Sequence, residues 1–121
     1  MNSVVRVILT VATVAFGLAT LIHAGVLISG YEHHKAATAE SIIAPVLALG
    51  FIATLLWPAS IRNIALCVEG FALLGTSVGV FMIVIGIGIG RTVFDIVLHA
   101  LLIAGLVAGL IVTWRSRGAA A

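Results

Sequence analysis

The sequence of 121 residues carries little charge. Only 8% of its residues are Asp, Glu, Lys or Arg, whereas 63% are hydrophobic. About a quarter of the residues in a soluble domain are charged, and a disordered chain combines low hydrophobicity with high charge. Both classes are therefore excluded. A mean hydropathy of +1.35 instead indicates an integral membrane protein that lies in a lipid bilayer.

Other features are equally scarce. The single cysteine, Cys67, excludes an internal disulfide bond. The six Lys and Arg residues are scattered along the chain, whereas a surface that follows phosphates needs them clustered, so no nucleic-acid partner is expected. The sequence contains no nucleotide-binding loop and no nucleophile motif, so covalent catalysis has no support. A redox role is the only enzyme-like function left open.

Long apolar runs fill most of the chain. A membrane-spanning helix needs roughly 20 apolar residues. The connections between most of these runs are very short, which makes consecutive helices antiparallel neighbours. The sequence therefore predicts an all-α fold with a single transmembrane domain over 1–121, an integral membrane four-helix bundle of up-down topology. We predict spans over 4–28, 41–57, 61–89 and 93–114, with an outer polar connection over 29–40.

Basic residues predict the orientation, because the cytoplasmic side of a membrane protein carries more Lys and Arg. Lys35 and Arg91 fall on one side of the predicted bundle. Both termini are expected in the cytoplasm, since the other side carries more basic residues. The expected location is the bacterial cytoplasmic (inner) membrane. The residues on the cytoplasmic side are Arg6, Arg62, Arg115 and Arg117.

Two histidines fall inside predicted spans, where ionisable side chains are costly and often functional. His23 and His99 are expected near the outer leaflet, at depths that differ by only about 3 Å. Two facing histidines can bind a b-type haem through their ring nitrogens, and a metal or quinone site is an alternative at the same place. In the structural alternative, Asp95 caps its helix and accepts a hydrogen bond from His99, four residues further on.

The outer connection adds possible metal ligands in the stretch Tyr-Glu-His-His-Lys. If this connection is helical, His33, His34 and Glu40 would collect with Asp95 at the outer mouth of the bundle. Such a set suits a zinc, copper or iron ion. No spacing matches a known metal motif, however, and adjacent histidines point about 100° apart on a helix. A solvated connection is the alternative interpretation.

Glu69 lies about seven residues from the cytoplasmic end of the third span, too deep to reach the membrane surface easily. Two interpretations stay open. In one, the carboxyl group is protonated or bonds to a hydroxyl of a neighbouring helix, such as that of Thr10, Thr13 or Thr54, and fixes the helix register. In the other, Glu69 is the ion-coupling carboxylate of a proton- or cation-coupled transporter.

The function expected first is that of a small four-span accessory or interaction subunit without catalytic activity, or of a homo-oligomer. Glycines at small-xxx-small spacing, such as Gly105 and Gly109, favour close helix contacts inside the bundle or with a partner. The partners would be further copies of the chain or a larger membrane complex. One alternative is a redox anchor that holds haem, a metal or a quinone between His23 and His99. Another is a small dimeric transporter that uses Glu69.

Overall fold

The computed structural model of the protein describes residues 2–86 and 92–116. The end of the third predicted span falls outside the described residues, as do Arg91 and Arg117. The described chain forms four long helices with a short 3-10 turn between the second and the third. These are α1 (Asn2–His23), α2 (His34–Leu56), the turn Pro58–Ser60, α3 (Ile61–Val84) and α4 (Val93–Arg115).

All four helices are long and apolar enough to cross a membrane. They contain 22 to 24 residues each. At about 1.5 Å per residue, such helices are roughly 33–36 Å long, enough for a hydrocarbon layer of about 30 Å. No strand occurs in the described part of the chain. The prediction of an all-helical integral membrane protein is therefore confirmed at this level, and the orientation of its termini stays a prediction.

The core lies between the helices and is small. Its side chains are mostly aliphatic, with Phe16 as the largest, and they come from all four helices. The outward faces are also apolar: Val11, Leu74 and Leu101 are each more than 60% exposed. A contiguous apolar surface of this kind drives association in water but is compatible with lipid tails. The exposed surface thus agrees with the membrane assignment.

Helices α2 and α3 approach each other closely at one glycine. A Cβ atom on Gly50 would lie 2.7 Å from Cγ2 and 2.8 Å from Cγ1 of Val68. These distances are shorter than van der Waals contact, so a residue with a side chain would push the two helices apart. Small residues serve this purpose in membrane bundles, where close backbone approach rather than apolar burial drives packing.

The helix ends at one side of the bundle differ from the predicted spans. Helix α1 ends at His23, and the chain then turns through Gly25, whose φ of +75° favours glycine. Helix α2 begins at His34, because Nδ1 of His33 accepts the backbone N–H of Ala36 at 3.1 Å and caps the helix. It therefore begins earlier than the second predicted span, which starts at 41.

Helix α4 begins at Val93, the first residue of the fourth predicted span. The hydroxyl oxygen of Thr92 accepts the backbone N–H of Asp95 at 3.1 Å. This satisfies one of the free amides of the first helical turn. The side-chain carboxylate of Asp95 is left available for a contact with another helix.

Candidate functional site

Five ionisable side chains meet where α1 ends and where α2 and α4 begin. We call them the histidine–carboxylate cluster. Their exposed fractions lie between 0% and 6%, although each carries a polar or charged group. Buried groups of this kind are expensive in a membrane unless they pair with one another. The members are His23, His33, Glu40, Asp95 and His99.

His23 lies at the centre of this cluster. Its Nδ1 atom is 2.7 Å from Oε2 and 3.0 Å from Oε1 of Glu40, and its Nε2 atom is 2.9 Å from Oδ1 of Asp95. An ionised carboxylate only accepts hydrogen bonds, so both contacts need a proton between nitrogen and oxygen. Either His23 is an imidazolium ion, or one of the two carboxyl groups is protonated. The cluster therefore holds one more proton than it would with a neutral His23 and two ionised carboxylates.

His99 stacks against His23 and has a different hydrogen-bonding state. The two ring centroids are 5.7 Å apart, with an angle of 27° between the ring planes. Nδ1 of His99 lies 2.7 Å from the backbone carbonyl oxygen of Asp95, so this nitrogen carries a hydrogen and donates it. Nε2 is then the nitrogen without a hydrogen in the neutral ring. It lies 4.0 Å from Oε1 of Glu40, which would pair with it once it is protonated.

His33 completes the cluster from the connection that precedes α2. Its backbone N–H donates to the carbonyl oxygen of His23 at 2.8 Å, and the two rings lie edge to face with centroids 6.0 Å apart. Nδ1 accepts the amide of Ala36, so Nε2 carries the hydrogen. Nε2 is buried and has no hydrogen-bond partner among the described residues. A buried donor without a partner is uncommon in proteins and costs free energy.

A cavity of about 220 Å³ adjoins the cluster between α2 and α3. Glu40, Lys35, His33 and His99 contribute charged or polar groups to its wall, and Thr76 contributes a further side chain from α3. The rest of the wall is largely apolar and includes Phe16. The cavity therefore offers a compact ligand an apolar surface with the buried carboxyl group of Glu40 on one part of its wall and the exposed Lys35 on another.

The structure brings together most of the residues that the sequence singles out at this end. His23 and His99 are in contact, and Glu40 and Asp95 join them through His23. His34 does not take part, because it is exposed at the first residue of α2. In residues 2–86 and 92–116, no group of three or more His, Cys, Asp or Glu side chains has the geometry of a metal site. The metal and haem hypotheses therefore stay predictions.

The pairing inside the cluster differs from the pattern expected from the sequence. His99 donates to the backbone carbonyl of Asp95, and the Asp95 carboxylate instead contacts His23. Both ring nitrogens of His23 are occupied by carboxylates, so His23 would have to lose one of these bonds before it could bind haem iron. The contact between His23 and Glu40 could not be predicted from the spacing of residues along one helix, because the two residues lie on different helices.

Glu69 forms a second buried polar site, in α3. Its side chain is fully buried, Oε1 accepts the hydroxyl of Thr113 at 3.2 Å, and Oε2 has no partner among the described residues. Thr113 was not among the hydroxyls predicted to serve it. The predicted ones donate elsewhere, because a threonine inside a helix readily bonds to a carbonyl of its own helix. Thr10, Thr13 and Thr54 donate to the backbone oxygens of Arg6, Leu9 and Phe51.

Comparisons with family models, with curated proteins and with solved structures give no match for this chain. Its class therefore follows from its own features. The chain is a small integral membrane protein with four helices able to span a bilayer. It carries a buried histidine–carboxylate cluster at one end of its helices and a buried glutamate, Glu69, elsewhere in the bundle.

Proposed function

We propose that this protein is a small proton-linked transporter whose histidine–carboxylate cluster binds and releases the coupled proton. The observation that carries the proposal is the position of His23 between Glu40 and Asp95, with contacts of 2.7 and 2.9 Å. Ionisable side chains inside a membrane commonly belong to ion pathways and proton relays. Here three helices contribute them to a single site.

The charges of the cluster suggest how proton binding could be linked to a movement of α2. With Glu40 and Asp95 ionised, His23 protonated and the other histidines neutral, the cluster carries a net charge of −1. One further proton on Nε2 of His99 neutralises it. Protonated His99 then competes with His23 for Glu40, whose Oε1 lies 4.0 Å from one ring and 3.0 Å from the other. Proton uptake therefore shifts Glu40 of α2 from its contact with α1 toward α4.

The folding cost of the cluster argues against a purely structural role. Buried ion pairs are often no more stabilising than apolar side chains of similar volume, because desolvation offsets their attraction. A bundle that served only as a packing unit would fold at least as well with aliphatic residues at Glu40 and Asp95. The cluster is therefore better explained by a function that uses its charge.

The adjoining cavity supports a substrate class. Its volume of about 220 Å³ suits a compact molecule. Its wall includes Lys35 as well as Glu40, but Lys35 is exposed, whereas Glu40 is buried in the cluster, whose net charge of −1 favours a positive ligand at the inner part of the cavity. We therefore infer that the solute is a small organic cation exchanged for protons. This assignment moves the coupling role from Glu69 to the cluster. The accessory-subunit and redox-anchor hypotheses stay as predictions, with a co-purifying protein and a visible absorbance band as their respective signatures.

Transport by purified protein in liposomes tests the proposal. Vesicles with an acidic interior would be given radiolabelled tetramethylammonium outside, because this ion has no uncharged form that crosses lipid alone. A pH-sensitive dye inside would report proton exit at the same time. We expect cation uptake with proton exit in the wild type, loss of both in Glu40→Gln, and retention in Glu32→Gln, which alters an exposed glutamate.

Each result decides the proposal. Wild-type vesicles that show neither signal above protein-free vesicles would contradict it. Equal transport by the wild type and Glu40→Gln would also contradict it, because coupling would then not involve the cluster. Parallel loss of both signals in Glu40→Gln alone would support it.

A further inference from the structure

We propose that a groove between α1 and α4 binds an amphipathic amine, with its alkyl chain along the groove and its ammonium group paired with Glu69. This site is separate from the histidine–carboxylate cluster. The proposal therefore does not depend on the transport function, and the two can be tested independently.

The groove has the size and lining of a small-molecule site. Its volume is about 610 Å³, within the range of roughly 300–1,000 Å³ found for ligand pockets. On α1 it extends from Val7 to Ile22, or about 22 Å at 1.5 Å per residue. Small side chains on both helices keep it open. These are Ala12, Ala15 and Ala19 of α1 with Gly105, Ala108 and Gly109 of α4.

Glu69 of α3 belongs to the wall of this groove and is the one acidic side chain among the described residues that line it. The side chain is fully buried from solvent by the surrounding helices. Oε1 is occupied by Thr113, but Oε2 lacks a hydrogen-bond partner within the described chain. An unpaired polar atom in an apolar setting is costly, so a ligand that brings a donor gains a strong contact once the Glu69 carboxyl group turns into the groove.

Two glycines of α4 shape the groove beside Glu69. A Cβ atom on Gly109 would lie 2.9 Å from Cγ2 of Ile8 and 3.6 Å from Oε1 of Glu69, so glycine lets α4 pass close to the carboxyl group. A Cβ atom on Gly105 would meet no atom within 4 Å. Gly105 therefore faces open space inside the groove, where a ligand chain would lie.

An amine fits these features better than the other occupants available in a membrane. A lipid acyl chain would fill the groove but would offer no donor to Oε2. A helix from a second copy would present mainly the apolar outward faces, such as those with Leu74 and Leu101. An alkylamine provides both an apolar chain and a charged donor, and its ammonium group with a carboxylate forms a charge-assisted hydrogen bond.

The test measures thermal unfolding of the full chain in lipid nanodiscs with added dodecylamine, and with dodecanol as the uncharged analogue. Binding to the folded state raises the Tm. We expect dodecylamine near saturation to raise it by about 4 °C or more in the wild type. Dodecanol should have a smaller effect.

Matched variants locate the site. Glu69→Gln should remove the dodecylamine shift, and so should Gly105→Leu, which fills open space in the groove and leaves Glu69 in place. Gly70→Leu is the control, because Gly70 also has free space around it but does not line the groove. It should keep the shift. Glu40→Gln should keep it too, which separates this site from the transport proposal.

Three results would overturn the inference. The first is the absence of a shift in the wild type. The second is an equal shift in Gly105→Leu, which would place the amine elsewhere or in the lipid. The third is a wild-type dimer that Gly105→Leu dissociates without any amine effect, because a second copy would then occupy the groove.

Discussion

Nε2 of His23, at the last residue of α1, lies 2.9 Å from Oδ1 of Asp95, in the first turn of α4. The other ring nitrogen of His23 contacts Glu40 of α2 at 2.7 Å. One imidazole thus connects α1 with both α2 and α4, although α4 is far from α1 in the sequence. Because the two contacts together require one added proton, on His23 or on a carboxyl group, the packing of this end of the bundle depends on that proton.

Replacement of Glu40 by glutamine tests the strength of this junction. Glu40→Gln removes the charge that faces His23 and keeps the size of the side chain. We expect the free energy of unfolding to fall by about 1.5–3 kcal/mol, the range for a hydrogen bond to a charged group. Reversible unfolding in mixed micelles measures it. The control Glu32→Gln should change the value much less, because Glu32 is exposed, and equal losses in the two variants would contradict the account.

The connection between α1 and α2 should show its own pH dependence. Glu32 accepts the backbone N–H of Gly30 at 3.0 and 3.1 Å, and this bond, with the residue's own amide, lowers the pKa of Glu32 below its ordinary value of 4.5. A carboxyl whose folded pKa is lowered stabilises the protein above its unfolded pKa, and this contribution disappears as pH falls through the folded pKa.

Glu32→Gln removes that contribution. The Tm difference between the wild type and the variant should therefore shrink as the pH is lowered from about 6 to 3. Thermal scans across this range measure it. The effect should be small, because Glu32 is exposed. A difference that stays constant with pH would contradict the assigned hydrogen bond.

The partner of Glu69 can be tested with two threonines. Thr113→Val removes the only hydroxyl that reaches Glu69 within the described chain and should lower the free energy of unfolding by about 1–3 kcal/mol. Thr76→Val is the control, because its hydroxyl donates to the carbonyl of Ala72 in its own helix. It should cost less. A larger loss in Thr76→Val, measured by the same unfolding assay, would show that Glu69 does not depend on Thr113.

Alanine substitutions of two glycines, one at the close approach of α2 and α3 and one away from it, should change the stability of the bundle in opposite directions. Gly50→Ala places a Cβ atom within 2.8 Å of Val68 and should destabilise the bundle by about 1–3 kcal/mol through overpacking. Gly17→Ala meets no atom within 4 Å and should stabilise α1 by up to about 1 kcal/mol through helix propensity. Stabilisation by both substitutions would contradict the described contact between α2 and α3.

The sequence predicts the four helices well, because each is a long apolar run in a chain with few charged residues. It predicts the ends of the helices less well. The predicted second span begins at 41, whereas α2 begins at His34, because hydropathy treats Glu40 as a solvent-exposed charge. In the fold, Glu40 is 3% exposed and paired with His23. Hydropathy along one helix contains no information about partners on another.

For the candidate site as well, the sequence predicts the positions of residues along each helix but not their partners on other helices. Counting residues from the ends of the spans predicted equal depths for His23 and His99, and the two rings are in contact. The pairing of His23 with Glu40 and Asp95 depends on how each helix is rotated about its axis, which spacing within one helix does not determine. The same limit explains why Thr113, on α4, was not recognised as the partner of Glu69 on α3.

The most direct test of the central claim is ¹⁵N NMR of the histidine rings in nanodiscs as the pH is varied. The account predicts that at neutral pH both nitrogens of His23 carry hydrogen, and that His99 is neutral with its hydrogen on Nδ1. As the pH is varied, the signals of His99 and His23 should change together, because both rings lie beside Glu40. Exposed His34 serves as the internal reference. A neutral His23 with one bare nitrogen, and a His99 that titrates independently of it, would contradict the proton-binding cluster.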